Sequence, residues 1–181
     1  MNISEVDLEQ LKYPIGRYVR PDSLSSSERD FMISELEALP AKLQDLVPLF
    51  GDSNLSNTYR PDSWTARQVF HHLADSHINS FIRLKLTLTE ENAEVKPYDE
   101  NAWALLPDYS DPIEPAVQIV SSIHPIMARI YKSLNEDQWK RQYFHPAYKT
   151  HNTVEQLLAL YVWHGNHHLA HLKLAAGNAG K

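Results

Sequence analysis

Apolar residues recur at alternating three- and four-residue steps in four long stretches of the chain, the spacing that keeps side chains on one face of a helix. In the first, Leu36, Leu39, Leu43, Leu46 and Phe50 share a stripe, and Ser25 with Glu28 has the spacing of a capping box at its start. Pro40 falls inside this run, where its missing N–H and its ring predict a kink or break, and Gly51 closes it. Phe70, Leu73, His77, Phe81, Leu84 and Leu88 make the second stripe, opened by the Thr65/Gln68 pair and running to about Glu91. The third covers residues 113–134 through Val117, Val120, Ile123, Met127, Ile130 and Leu134; the fourth starts at Thr153, with Gln156 as its capping partner, and runs to Gly177. Between them strand-like alternation is nearly absent, except for the turn-rich "QYFHPAYKTH", which can hold a short hairpin. Four helices of roughly 20 residues predict an all-α fold, a four-helix bundle with long crossover connections. The whole chain, residues 1–181, reads as one domain, with residues 1–23 as an N-terminal arm.

Composition narrows the function. At 43% hydrophobic and 22% charged, the chain can bury a core without staples. A net charge of −6 with no Lys/Arg cluster argues against a nucleic-acid partner. No apolar run is long enough to span a bilayer and the N-terminus lacks a signal peptide, so the expected location is the cytoplasm, without a membrane partner. Cysteine is absent, so a metal site must be built from histidine and carboxylate, and any thiol chemistry must use a thiol from a substrate.

Histidine is the exception to this plain composition: of ten in the chain, four lie in "YVWHGNHHLAHL" at His164, His167, His168 and His171. Residues four apart stack on a helix face, which allows the pairs His164/His168 and His167/His171. Rotation by about 100° per residue puts the first pair on the apolar line of Leu157 and Ala175. Two imidazoles in a core need partners, and a shared cation supplies them; hydroxyls or waters are the plainer alternative. A catalytic zinc generally takes three protein ligands, and "FHHLADSHINSFIR" offers His71, His72, Asp75 and His77 for the third. Periodicity leaves that choice open: His77 lies in the apolar stripe, and His72 shares a polar stripe with Gln68, Ser76, Asn79 and Arg83 that reads equally as a solvated face or a cavity wall. His124, His145 and His151 have no helical partner in register and read as structural or exposed, and the four tryptophans are assigned no chemistry.

"WTARQVFHHLADSH" taken with "HGNHH" closely resembles the DinB-like superfamily, and within it the YfiT family, whose members are described as metal-dependent hydrolases. That pattern has Trp-Ser/Thr opening the second helix, a ligand His eight positions after the Trp, and His-x-x-x-His late in the fourth helix. Here these positions are Trp64, His72, His164 and His168. "YPIGRY", "LPAKL", "DSHINSFIRLKLTLTEE", "PYDENAW" and "LYVWH" extend the resemblance over nearly the whole chain. It implies a bundle with long crossovers, one divalent metal ion on three histidines (zinc foremost, nickel as the alternative) and a homodimer. Where many superfamily members carry Arg-Gly-Gln after the last ligand, this chain has Leu169, Ala170 and His171, which leaves His171 either hydrogen-bonded beside the site or simply packed.

A dication on three neutral imidazoles lowers the pKa of a bound water to about 7, which gives a metal-dependent hydrolase acting on a small-molecule substrate. Asp75, one turn beyond His72, is the carboxylate best spaced to act as base. The same charge would deprotonate a low-molecular-weight thiol, so a thiol S-transferase using a co-substrate such as bacillithiol is the alternative, also met among the family's relatives. In that case Gln68, Asn79 and Arg83 would line the pocket, Arg83 suiting a carboxylate. A third reading makes the metal a non-catalytic staple in a binding protein, although structural zinc usually has four protein ligands.

Overall fold

The computed structural model describes residues 5–51 and 53–177. In chain order these form α1 (Glu5–Lys12), α2 (Ser26–Gln44), α3 (Ala66–Thr89), β1 (Ala93–Glu94), α4 (Glu100–Trp103), α5 (Glu114–Lys132), α6 (Glu136–Trp139), β2 (Gln142–His145), β3 (Thr150–Thr153) and α7 (Val154–Gly177), with single 3-10 turns at Val47–Leu49 and Pro107–Ser110. The four long helices are α2, α3, α5 and α7, and each expected capping pair is formed. Ser25 and Thr65 accept from the backbone N–H of Glu28 and Gln68 while receiving those side chains in return, and Thr153 does the same with Gln156.

α2 and α3 each pack on both α5 and α7, so α2 stands diagonally across the bundle from α3 and α5 diagonally from α7. Two apolar clusters fix the directions. One gathers Leu39 and Leu43 from the end of α2, Phe70 and Leu73 from the start of α3, Val117 and Val120 from the start of α5, and Leu169 and Leu172 from the end of α7. The other takes the opposite halves: Ile33 and Leu36, Leu84, Met127 and Tyr131, Leu157 and Leu158. The helices therefore run up, down, down, up, and two of the three long connections cross a diagonal. Burial of Leu43, Leu73, Leu157 and Leu172, all at 0% exposure, contributes about 1.5–3 kcal/mol each relative to exposed side chains.

Pro40 neither breaks nor ends its helix: α2 is continuous from Ser26 to Gln44. Proline at that place leaves the carbonyl four residues back, Leu36, without its helical donor. His124 of α5 replaces it, with Nδ1 2.7 Å from the Leu36 oxygen. A carbonyl that would otherwise be an orphan is satisfied from a neighbouring helix, which accounts for the tolerated proline. His124 is accordingly fully buried, which corrects the exposed alternative for that residue.

The expected hairpin is β2–β3, paired antiparallel with Phe144 opposite His151; β1 adds a parallel strand on β2 that the sequence pattern did not announce. Within the arm, α1 was likewise unannounced, and residues 1–4 lie outside the described residues. The arm descends along α7: the Lys12 carbonyl meets His171, the Gly16 carbonyl accepts from Trp163, the Pro21 carbonyl accepts from Gln156, and the Leu24 N–H donates to Glu155. Among the described residues, no helix is long and apolar enough to cross a membrane.

Candidate metal centre

A layer of histidines separates the two apolar clusters. His72 and His77 come from the middle of α3, His124 from the middle of α5, and His164, His167 and His168 from the middle of α7. Gly165 lets the helices close at this level: a Cβ there would stand 2.7 Å from Leu39 Cδ2.

His72, His164 and His168 each offer a ring nitrogen within 4.8 Å of the others; His72 and His168 are buried and His164 partly so. His72 Nε2 and His164 Nε2 face each other at 3.2 Å. Burial first, then the neighbouring His167, pushes His72 down to about 4. Burial first, then the adjacent imidazoles, holds His164 and His168 well below the usual histidine value. At neutral pH all three are therefore uncharged, the state in which imidazole ligates a metal. The group fits a divalent cation in its spacing too: a tetrahedral zinc with Zn–N near 2.0–2.1 Å needs nitrogens about 3.3 Å apart, already met by His72 and His164 at 3.2 Å and reached for the whole set by a modest contraction from within 4.8 Å.

The three rings border a cavity of about 410 Å³. Its other walls include Ser76 and Arg83 from α3, Tyr161 from α7, and Tyr98 and Glu100 from the connection after β1. Ser76 Oγ lies 3.5 Å from His164 Nε2. Arg83 is 9% exposed, donates from Nη1 to the Tyr161 hydroxyl at 3.1 Å, keeps a buried Nε without a partner, and has no carboxylate within ion-pair reach among the described residues. Burial pushes the phenols of Tyr98 and Tyr161 up, so both stay protonated.

The polar stripe of α3 therefore splits. His72, Ser76 and Arg83 wall the cavity, whereas Gln68 and Asn79 are not among its lining residues. Gln68 caps α3 and donates to the Ala104 carbonyl, and Asn79 donates back to the Asp75 carbonyl. The Asp75 carboxylate accepts from the Tyr109 hydroxyl at 2.8 Å and is also absent from the cavity wall, where Glu100 is the carboxylate present. His171 stacks on Tyr59 at 3.8 Å and touches both His168 and the Lys12 carbonyl. His77, which competed with His72 for the ligand position, is 0% exposed and lies between His124 and His164. Sequence reasoning missed Tyr98, from the irregular stretch after β1, and Glu100, the first residue of the one-turn α4, both too short for periodicity to mark; Ser76, one turn past His72 on the same stripe, was legible.

The DinB superfamily model matches residues 35–172. The chain is 45% identical over 164 residues to YfiT of Bacillus subtilis, a metal-dependent hydrolase by name, with 90% of this chain and 92% of the relative covered. It is 41% identical to a relative from Halalkalibacterium halodurans that carries the same functional name, over 91% and 95% of the two chains. The solved structure of Bacillus subtilis YfiT, whose description pairs an unusual four-helix bundle topology with an inferred metal-dependent hydrolase activity, superposes with a TM-score of 0.91 at 42% identity and covers 94% of this chain and 98% of its own.

Proposed function

The chain belongs to the DinB superfamily, and from that membership and the histidine cluster we propose that it is a divalent-metal-dependent hydrolase of a small molecule bearing an anionic group, with His72, His164 and His168 as metal ligands. The observation that carries this reading is the convergence of three neutral imidazole nitrogens at the wall of a cavity. A divalent cation, with zinc or nickel suiting an all-imidazole set, supplies Lewis acidity that brings deprotonation of a water or a thiol to neutral pH. The hydrolase names of the relatives favour water.

Every other part of the chemistry falls to the chain itself. Three ligands without a fourth among the described residues favour an open, catalytic position over a staple. Arg83, a buried cation without a carboxylate partner, pairs with an anionic group of the substrate and orients it. Tyr98 and Tyr161, kept protonated by burial, donate hydrogen bonds toward the cavity. Of the two carboxylates in question, Glu100 borders the cavity and in this reading accepts the proton, whereas Asp75 is engaged with Tyr109.

The test is turnover by zinc- and nickel-loaded protein on a panel of esters and amides carrying carboxylate or phosphate groups, with a thiol-conjugation arm. Hydrolysis that disappears in His72→Ala, His164→Ala and His168→Ala together with the bound metal supports the reading. Thiol conjugation without hydrolysis, or hydrolysis retained by those variants, overturns it.

A further inference from the structure

Two backbone carbonyls that their own helices leave free stand at the outer ends of two histidine chains leading to the α7 pair. The Leu36 carbonyl is freed by Pro40; the Lys12 carbonyl closes α1, where the last carbonyls have no helical donor. We infer that these carbonyls set the tautomers of the two α7 histidines, through His124 and His77 on one side and through His171 on the other, so that both present an unprotonated Nε2 to the cation.

The deduction uses only who can donate. A carbonyl accepts, so His124 Nδ1, 2.7 Å from the Leu36 oxygen, carries the proton. A neutral imidazole has one N–H, which leaves His124 Nε2 an acceptor. His77 Nδ1, 2.9 Å away, must then donate to it, which makes His77 Nε2 an acceptor in turn. His164 Nδ1 faces that nitrogen at 3.5 Å and donates, so the His164 lone pair is on Nε2, the atom that faces His72. On the other side His171 Nε2 donates to the Lys12 oxygen at 3.2 Å, His171 Nδ1 accepts, and His168 Nδ1, 3.5 Å away, is the donor. The His168 lone pair is again on Nε2.

Both chains end on an amide oxygen, which takes up no proton at neutral pH, so they fix orientation and tautomer and do not conduct protons. His77, His124 and His171 are accordingly positioning residues. Their burial, at 0%, 0% and 2% exposure, excludes the water that would otherwise scramble the donor order. His72 lacks such an anchor: its Nδ1 is buried and unpartnered. Without metal its Nε2–H satisfies His164 Nε2, and on binding its proton moves to Nδ1. One ligand thus changes tautomer while two are preset.

This inference rests on the three-histidine reading, but its first test needs no metal. Long-range proton–nitrogen correlation spectra of the full chain with 15N-labelled histidine, taken metal-free and with zinc, report which ring nitrogen is protonated. Expected are Nδ1–H for His124, His77, His164 and His168, Nε2–H for His171, and a change from Nε2–H to Nδ1–H on zinc binding for His72 alone. Nε2–H at His77 or His124, or Nδ1–H at His171, overturns the inference. If zinc fails to bind but the five metal-independent tautomers are found, the metal reading fails and the anchoring stands. Zinc affinity provides the second test. His77→Phe removes the acceptor for His164 and should weaken zinc 10–100-fold, whereas His77→Gln, whose amide oxygen can accept the same proton, should stay within a few-fold of the parent. Equal affinity of the two variants overturns the role of His77. Should either variant fail to fold, the tautomers of the parent chain decide.

Discussion

His72 Nε2 and His164 Nε2 stand 3.2 Å apart, and between two neutral rings only one of those nitrogens can hold the proton of that contact. That contact satisfies the pair without metal, so the site can form in the metal-free chain. A cation that binds the folded site and not the unfolded chain should stabilise the protein measurably without being needed for folding, because the apolar clusters on either side carry the core. At free zinc about 100-fold above its Kd the gain is about 2.7 kcal/mol, or about 5–10 °C in Tm for a chain of this size. Thermal melts with zinc and with chelator check this. A chelated chain that remains folded with a lower Tm is expected, and His72→Ala should abolish the zinc-dependent increment.

In the proposed reading Arg83, which lines the cavity, holds substrate and not metal. Removing a charged hydrogen-bond partner costs about 1.5–3 kcal/mol, so Arg83→Met should raise KM for an anionic substrate about 10–150-fold. Metal content should be unchanged, and the effect should vanish on a neutral analogue of the same substrate. Steady-state kinetics paired with metal analysis separates this from a general loss of structure.

Acid should destabilise the metal-free protein well before carboxylates titrate. His72 and His124 are each pushed down by burial to about 4 in the folded chain, against an ordinary value of 6.5. Below 6.5 the unfolded chain binds protons that the folded chain refuses, so stability is complete above that pH and falls as pH drops toward about 4. Each such histidine contributes a slope of up to about 1.4 kcal/mol per pH unit in that window. Denaturant unfolding of chelated protein from pH 7.5 to 4.5 should show this decline, and a flat profile would contradict it.

Gly165 and Leu39 set the separation of α7 from α2 beside the histidine layer. Gly165→Ala would press a methyl to within 2.7 Å of Leu39 Cδ2 and 2.9 Å of its Cδ1. The expected loss is about 1–3 kcal/mol, with weaker zinc binding because His164 and His168 flank the site of the clash. Leu39→Ala in the same chain should recover part of the zinc affinity; a double variant no better than Gly165→Ala alone would contradict the steric cause.

The bundle was legible because its signals are local. Three capping pairs and four apolar stripes place three of the long helices to within a few residues, whereas the first, read through to Gly51, ends at Gln44; helix rotation put His164 and His168 on the apolar line, but the structure buries His167 and His171 as well. The polar stripe of α3 could not be resolved that way. Gln68 and Ser76 have equivalent patterning, yet α4 and its connection draw Gln68 into a backbone contact, while Ser76 and Arg83 are left to the cavity. Pro40 misled for a related reason: the residue that compensates for it, His124, is 84 positions away in sequence and arrives only through the diagonal topology of the bundle. β1 pairs with a strand about 50 residues later through two residues, too few for any alternation to register.

The most direct measurement is an anomalous-scattering map from a crystal of the zinc-loaded protein, recorded on both sides of the zinc absorption edge. The account predicts one zinc peak per chain, coordinated by Nε2 of His72, His164 and His168, with a remaining coordination direction open to the cavity at Arg83. A map without that peak at saturating zinc, or with zinc held by His167 and His171 in place of His164 and His168, would contradict it.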